Sequence, residues 1–304
     1  CSCSFHSDLN RWDVSQATDL SNMFSESAFN SNLASWDISR VISLAGTWFH
    51  APDFNQDLSD WDTARVTFMS NLFEGATSFS QDLRDWNVRN VKTMSCMFYG
   101  ASTFNGDLAG WDVNQVTTFG DPQNGVQVGR VGADGNWYYT TTSRGLFSGA
   151  LSFNRDINSW NVTLAGRDSI GMFSRATSFN QNLNSWSMTH ATSASGMFEG
   201  ASAFNGDISS WNVFKVTSMV GMFKQATQFN ADISGWQTGQ VRDFGSMFAG
   251  AFCFSAKGAT NPDRAGTDHD HTHKPAAQHQ TQAQRTEQAP TAKPNAQDKA
   301  TTSP

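Results

Sequence analysis

Seven aspartates, Asp8, Asp57, Asp82, Asp107, Asp156, Asp207 and Asp232, each stand directly before a Leu or Ile and shortly before a Trp. Carboxylates recurring at one spacing suit two chemistries. A hard cation such as calcium gathers several oxygen ligands, and glycoside cleavage needs two acids flanking the scissile bond. Two features argue against both. Asn32 and Asn182 hold the same place in two further copies, and a catalytic pair breaks a pattern rather than repeating it. The column therefore reads as side-chain acceptors closing turns, with no metal assigned. The histidines that precede the tail are His6, His50 and His190, scattered along the sequence. His269, His271 and His273 in HDHTH, with His279, offer a weak transition-metal chelate; we read them as part of a solvated linker. No phosphate-binding glycine loop, Gly-x-Ser-x-Gly elbow or His-Glu-x-x-His pair occurs. Nothing assembles a catalytic triad, so we expect no enzyme and no cofactor.

The acidic column belongs to a longer pattern. FNGDLAGWDV at Phe104 to Val113 returns as FNGDISSWNV at Phe204 to Val213, and related stretches begin at Phe5, Phe29, Phe54, Phe79, Phe153, Phe179 and Phe229. A period of about 25 residues is that of a solenoid, in which each coil touches only its neighbours. Each copy mixes brief alternation with a three-to-four-residue spacing. That predicts an α/β solenoid with two short extended segments, DLSDW-like and VTSM-like, and one helical turn, MFEGA-like, per coil.

Stacking turns equivalent positions into columns. Trp12, Trp36, Trp61, Trp86 and Trp111 are expected to form an aromatic core column beside Phe and Leu columns, with coils one strand spacing apart. Asn30, Asn55, Asn105, Asn154, Asn180, Asn205 and Asn230 are expected to bond the turn backbone and the next coil. Gly75, Gly100, Gly149, Gly200 and Gly250 fall where a left-handed residue ends a helical turn, and Ser21, Ser70 and Ser95 where an N-cap belongs.

A net charge of −7 excludes the basic stripe of a nucleic-acid binder. No apolar run reaches the roughly 18 residues of a membrane span. Cys1 followed by Ser2 matches a mature lipoprotein end, but Phe5 already opens the first repeat, so a fragment is the expectation. Cys3, Cys96 and Cys253 fall coils apart, which makes free thiols the expectation.

The pattern breaks twice. Residues 120–145 are an irregular insertion or a decayed coil. The decayed-coil reading rests on Trp137, which keeps nearly the repeat spacing. The hairpin reading, which we favour, pairs VQVGRV with NWYYTT across a Gly-bounded turn. Arg130, Trp137, Tyr138 and Tyr139 lie here; aromatic and Arg side chains anchor interaction hot spots, so these four are the candidate binding residues. The array is placed at 1–254. Residues 255–304, rich in Ala, Gln, Thr, Pro and Lys, are expected to be a disordered tail.

The full repeat, F-N-x-D-L/I-S-x-W-x-V-x-x-V-T-x-M-x-x-M-F-x-G-A, resembles the BspA-like bacterial surface repeat family over Phe5 to Phe254. That family is a domain-of-unknown-function array of surface lipoproteins. The resemblance implies a leucine-rich-repeat-like right-handed stack and an extracellular or cell-surface place. It also implies adhesion or another interaction with a protein or glycan on a lateral face, and it supplies no catalytic residues. A polysaccharide-active enzyme and a purely structural spacer are the alternatives.

Overall fold

The computed structural model describes residues 7–120, 126–131, 137–142, 144–162 and 170–255. The chain divides into two units, Cys1–Ala259 and Thr260–Pro304, and all of the second lies outside the described residues, with most of the expected tail.

Repeats lie one against the next through parallel bridges: Asp19 with Ser43, Ser43 with Phe68, Phe68 with Thr93, Thr93 with Thr118, then Ser193 with Ser218 and Ser218 with Asp243. Each is a single bridge rather than a strand. The reason lies in the segments that follow.

Where the sequence predicts a helical turn, no helix forms among the described residues. Instead the N–H groups alternate in direction. Asn71, Phe73 and Gly75 donate to the carbonyls of Ser95, Met97 and Tyr99 in the next coil, at 2.9, 2.9 and 2.7 Å. The residues after each, Leu72, Glu74 and Ala76, donate three residues back within their own coil. An α-helix would spend every N–H inside the segment and leave the next coil unpaired. Overlapping turns satisfy both coils, at the cost of two left-handed residues per coil. Gly75, Gly100, Gly149, Gly200 and Gly250 fill one of these positions with φ between 68° and 77°. Asn22, Gly46, Asn71, Cys96, Gly171, Gly196, Gly221 and Ser246, four residues earlier in their coils, fill the other. The serines expected as N-caps bond sideways: the Ser21 hydroxyl pairs with that of Ser43, and Ser95 Oγ donates to Thr118 Oγ1 and to the Gly120 carbonyl.

The core is three aromatic columns. Phe73, Phe98, Phe147, Phe173 and Phe198 stack ring on ring at 5.5 to 5.8 Å. A second Phe column leans on it, with Phe73 and Phe79 only 3.8 Å apart. The Trp column is more than apolar filling. Eight indole N–H groups, from Trp36 to Trp236, each donate to a Leu or Ile carbonyl of the preceding coil, as Trp86 does to Leu58 at 2.9 Å and Trp211 to Leu183 at 2.8 Å. Each of these carbonyls also accepts the backbone N–H three residues on, as Leu58 does from Trp61 at 3.1 Å, so the indole supplies its second bond and ties one coil to the next as well as filling the core. The Asn column also links coils. Asn30 Oδ1 accepts from Asn55 N–H, Asn55 from Ser80, Asn154 from Asn180 and Asn205 from Asn230.

Candidate functional site

Two strands interrupt the array. β1 (Val126–Val131) and β2 (Trp137–Thr142) pair antiparallel, with Arg130 opposite Tyr138, Val131 opposite Trp137 and Gly129 opposite Tyr139. Successive strand positions alternate between faces. Positions 130 and 138 therefore share one face and 137 and 139 the other, so the four candidate binding residues divide into two pairs.

The stack closes beneath the hairpin. Trp111 lies directly on Trp160 at 5.9 Å, Phe104 on Phe153 at 5.9 Å, and Asn154 N–H donates to Asn105 Oδ1. No further coil fits between rings already in contact, which leaves the decayed-coil reading without a place.

Both roots of the insertion are fastened to the neighbouring coil. Ser95 Oγ donates to the Gly120 carbonyl at 2.7 Å, and Cys96 Sγ to the Arg144 carbonyl at 3.4 Å. Arg144 reaches further. Its guanidinium lies 4.7 Å from the Tyr99 ring centroid and pairs with the carboxylate of Glu74, whose side chain is 1% exposed. Asn71 Nδ2 donates to the same carboxylate, and His50 Nε2 lies 3.9 Å away. A carboxylate this deep persists only when paired and hydrogen-bonded. With so little of Glu74 exposed, the cluster is suited to anchoring rather than to meeting a substrate.

Sequence reasoning missed this cluster. Glu74 occupies the variable place of the MF-x-G motif, also held by Tyr99, Ser148, Glu199 and Lys224, and Arg144 is hidden at the end of the insertion. One signal was there: Glu199 and Lys224, at the same place in adjacent coils, form a second ion pair at 2.8 Å.

The acidic column closes turns. Oδ1 of Asp8, Asp57, Asp107, Asp156, Asp207 and Asp232 accepts the N–H two residues on, at 2.9 to 3.0 Å, and Asn32 does the same at 2.7 Å. Asp82 instead accepts from Asp107 N–H in the next coil. A second such column follows the Trp, through Asp13, Asp37, Asp62 and Asp112. The Ser209 backbone N–H holds the Asp207 carboxyl below its ordinary 3.8, and the Ala109 N–H does the same for Asp107, helped by Arg84. Cys96 and Cys253 carry no disulfide. His6 and the HDHTH run lie outside the described residues.

Coils joined by backbone ladders, with one hairpin led out of the stack, define a repeat protein. The chain belongs to the family described as "Mycoplasma protein of unknown function, DUF285", whose pattern matches residues 2–48, 27–127, 136–205 and 171–282. The overlapping matches reflect the repeats, and the two central ones leave out 128–135, within the hairpin insertion. No curated protein matches the chain. Among the described residues no helix is long and apolar enough to cross a membrane.

Proposed function

We propose that this chain is a non-enzymatic interaction module: a leucine-rich-repeat-like, right-handed solenoid of the BspA-like kind that presents the 126–142 hairpin to a protein or glycan at a cell surface. One observation carries the reading. The array closes directly from Trp111 to Trp160, so the insertion is not needed to complete the stack, yet its roots are held by Ser95, Cys96 and the buried Glu74. Strong fastening of a dispensable element suits a presented binding site. The hairpin also gathers Trp137, Tyr138, Tyr139 and Arg130, residue types that dominate interface energetics.

The test is capture of the full chain on an array of matrix proteins and glycans. Tyr138→Ala and Tyr139→Ala are expected to weaken capture by about tenfold or more, the loss of a hot-spot side chain, with the melting temperature nearly unchanged. Undiminished capture by both variants and by Arg130→Ala would move the binding surface off the hairpin.

A further inference from the structure

Although the chain carries a net charge of −7, its cations gather in three successive coils inside the array. Arg40 and Arg65 hold one repeat position, which belongs to Gln16 in the coil before them and to Gln115 in the coil after the third. In the third coil Arg89 and Lys92 lie on either side of that position, at Asn90. Backbone bonds set the coils side by side: Thr67 N–H donates to the Ile42 carbonyl and Lys92 N–H to that of Thr67, each at 2.8 Å. The four cations are all exposed, and they recur along the stack at about one strand spacing, ~4.8 Å.

The fold holds these charges without cancelling them. Among the described residues none of the four forms an ion pair. Asp37 and Asp62, three residues before the two arginines, accept the turn N–H groups of Ser39 and Ala64, and Arg40 acts on Asp37 from beyond ion-pair range. Arg40 and Lys92 are tethered from the flanking coils by neutral acceptors, Oε1 of Gln16 and Oε1 of Gln115, the latter at 2.8 Å. Like charges facing each other on neighbouring strands cost stability, so the repeat itself has no use for this arrangement. The same coils break the pattern twice more. Ile42, 37% exposed, stands where other coils have Thr67, Thr117 and Thr217, and Phe68, 45% exposed, where they have Ser43, Thr93 and Thr118. The Ile42 carbonyl accepts the Phe68 N–H at 3.3 Å, which puts the two apolar residues on adjoining coils beside the cations.

We infer that this ridge is a second binding surface, independent of the hairpin, and that it takes a sulfated polysaccharide laid along the stack. Arg pairs its guanidinium fork with the oxygens of an anion, and the tethers from Gln16 and Gln115 hold two of the cations ready for it. Each pyranose ring advances a glycan by roughly the spacing of the coils, so successive sulfates meet successive cations, and the apolar face of a ring lies against Phe68. An acidic peptide fits less well. In an extended chain the side chains of one face recur every 6.6 Å or so, out of step with the coils.

Heparin binding by the full chain at about 0.15 M salt tests this, with desulfated heparin and polyglutamate as the comparison probes. Arg40→Gln with Arg65→Gln installs the residue of the flanking coils. Arg155→Gln with Arg175→Gln removes the same charge elsewhere, at positions where other coils carry Gln56 and Gln225. The first pair is expected to weaken heparin binding by about tenfold or more, the second pair by little, with neither melting temperature lowered. Phe68→Thr is expected to weaken binding without changing its salt dependence, and Tyr138→Ala to leave it intact. Absence of heparin binding by the wild type overturns the proposal, as does equal loss in the two pairs. Equal binding of desulfated heparin or of polyglutamate, or loss on Tyr138→Ala, overturns it as well. Should the first pair melt early, Arg89→Gln with Lys92→Thr replaces it, and the same outcomes decide.

Discussion

The indole rings of Trp111 and Trp160 stack 5.9 Å apart and within 4° of parallel, although twice the usual repeat length separates them in sequence. Trp211 and Trp236, one repeat apart, stack at 6.1 Å and 5°. The two joints are the same contact, so everything extra between them is carried outside the column. Gly120 stands where other coils have Ser70 or Ser95, and Gly145 where they have Asn71 or Cys96.

Excising 121–144 should therefore leave a regular coil, with one complication. The deletion removes Arg144, the guanidinium paired with the buried Glu74 carboxylate. Breaking a buried pair by losing one partner costs about 3 to 5 kcal/mol. The excised chain is expected to be destabilised by roughly that amount in urea titrations, and Glu74→Met in the same background is expected to restore most of it. Full stability of the excised chain with Glu74 intact would show that Arg144 does not hold the carboxylate.

Trp48 and Trp86 make opposed predictions for one substitution. Trp48 sits in a Phe column, stacked on Phe54 at 4.3 Å, and its buried indole N–H has no partner among the described residues. Trp86 donates to Leu58. Trp86→Phe removes this inter-coil bond, leaving Leu58 its bond from the Trp61 N–H, while Trp48→Phe removes an orphan. Trp86→Phe is expected to cost about 0.5 to 1.5 kcal/mol more than Trp48→Phe, and Trp86→Ala about 3 to 5 kcal/mol in all. Equal costs in thermal unfolding would refute the backbone role of the Trp column.

Asp207 predicts a pH dependence. Its folded pKa is depressed, first by the Ser209 N–H, so its contribution is fully present above the ordinary 3.8 and lost as pH falls through the lower folded value. Asn accepts the same bond at any pH, as Asn32 does. Asp207→Asn is expected to be near neutral at about pH 7 and to unfold less readily than the wild type at about pH 2.5. Calcium is expected to leave the melting temperature of both unchanged; a rise confined to the wild type would restore the metal-ligand reading.

Gly206 and Gly235 separate packing from flexibility. A Cβ on Gly206 would stand 2.0 Å from the Gln181 carbonyl oxygen, while one on Gly235 meets nothing within 4 Å. Gly206→Ala is expected to destabilise by about 1 to 3 kcal/mol, and Gly235→Ala by no more than about 0.5 kcal/mol. Melting curves of the two variants decide the point.

The sequence by itself determined which positions recur and which residues face inward, except that Trp12, expected in the aromatic core column, is exposed. Phe, Trp, Leu and Asn return at fixed offsets, and burial and side-chain ladders depend on identity at a position. The Asn links and the acidic acceptors were legible for that reason, and so was the hairpin, whose alternating Val and aromatic residues flank a Gly-bounded turn. Tertiary structure alone decided the rest. The MF-x-G segment has the spacing of a helical turn, but alternate N–H groups are claimed by the neighbouring coil, and a local pattern carries no record of that competition. The Trp column hid its carbonyl acceptors because each partner lies one repeat away on the backbone, where residue identity is silent. Glu74 and Arg144 are brought together across 70 residues only because the hairpin folds out and lets the coils on either side close up.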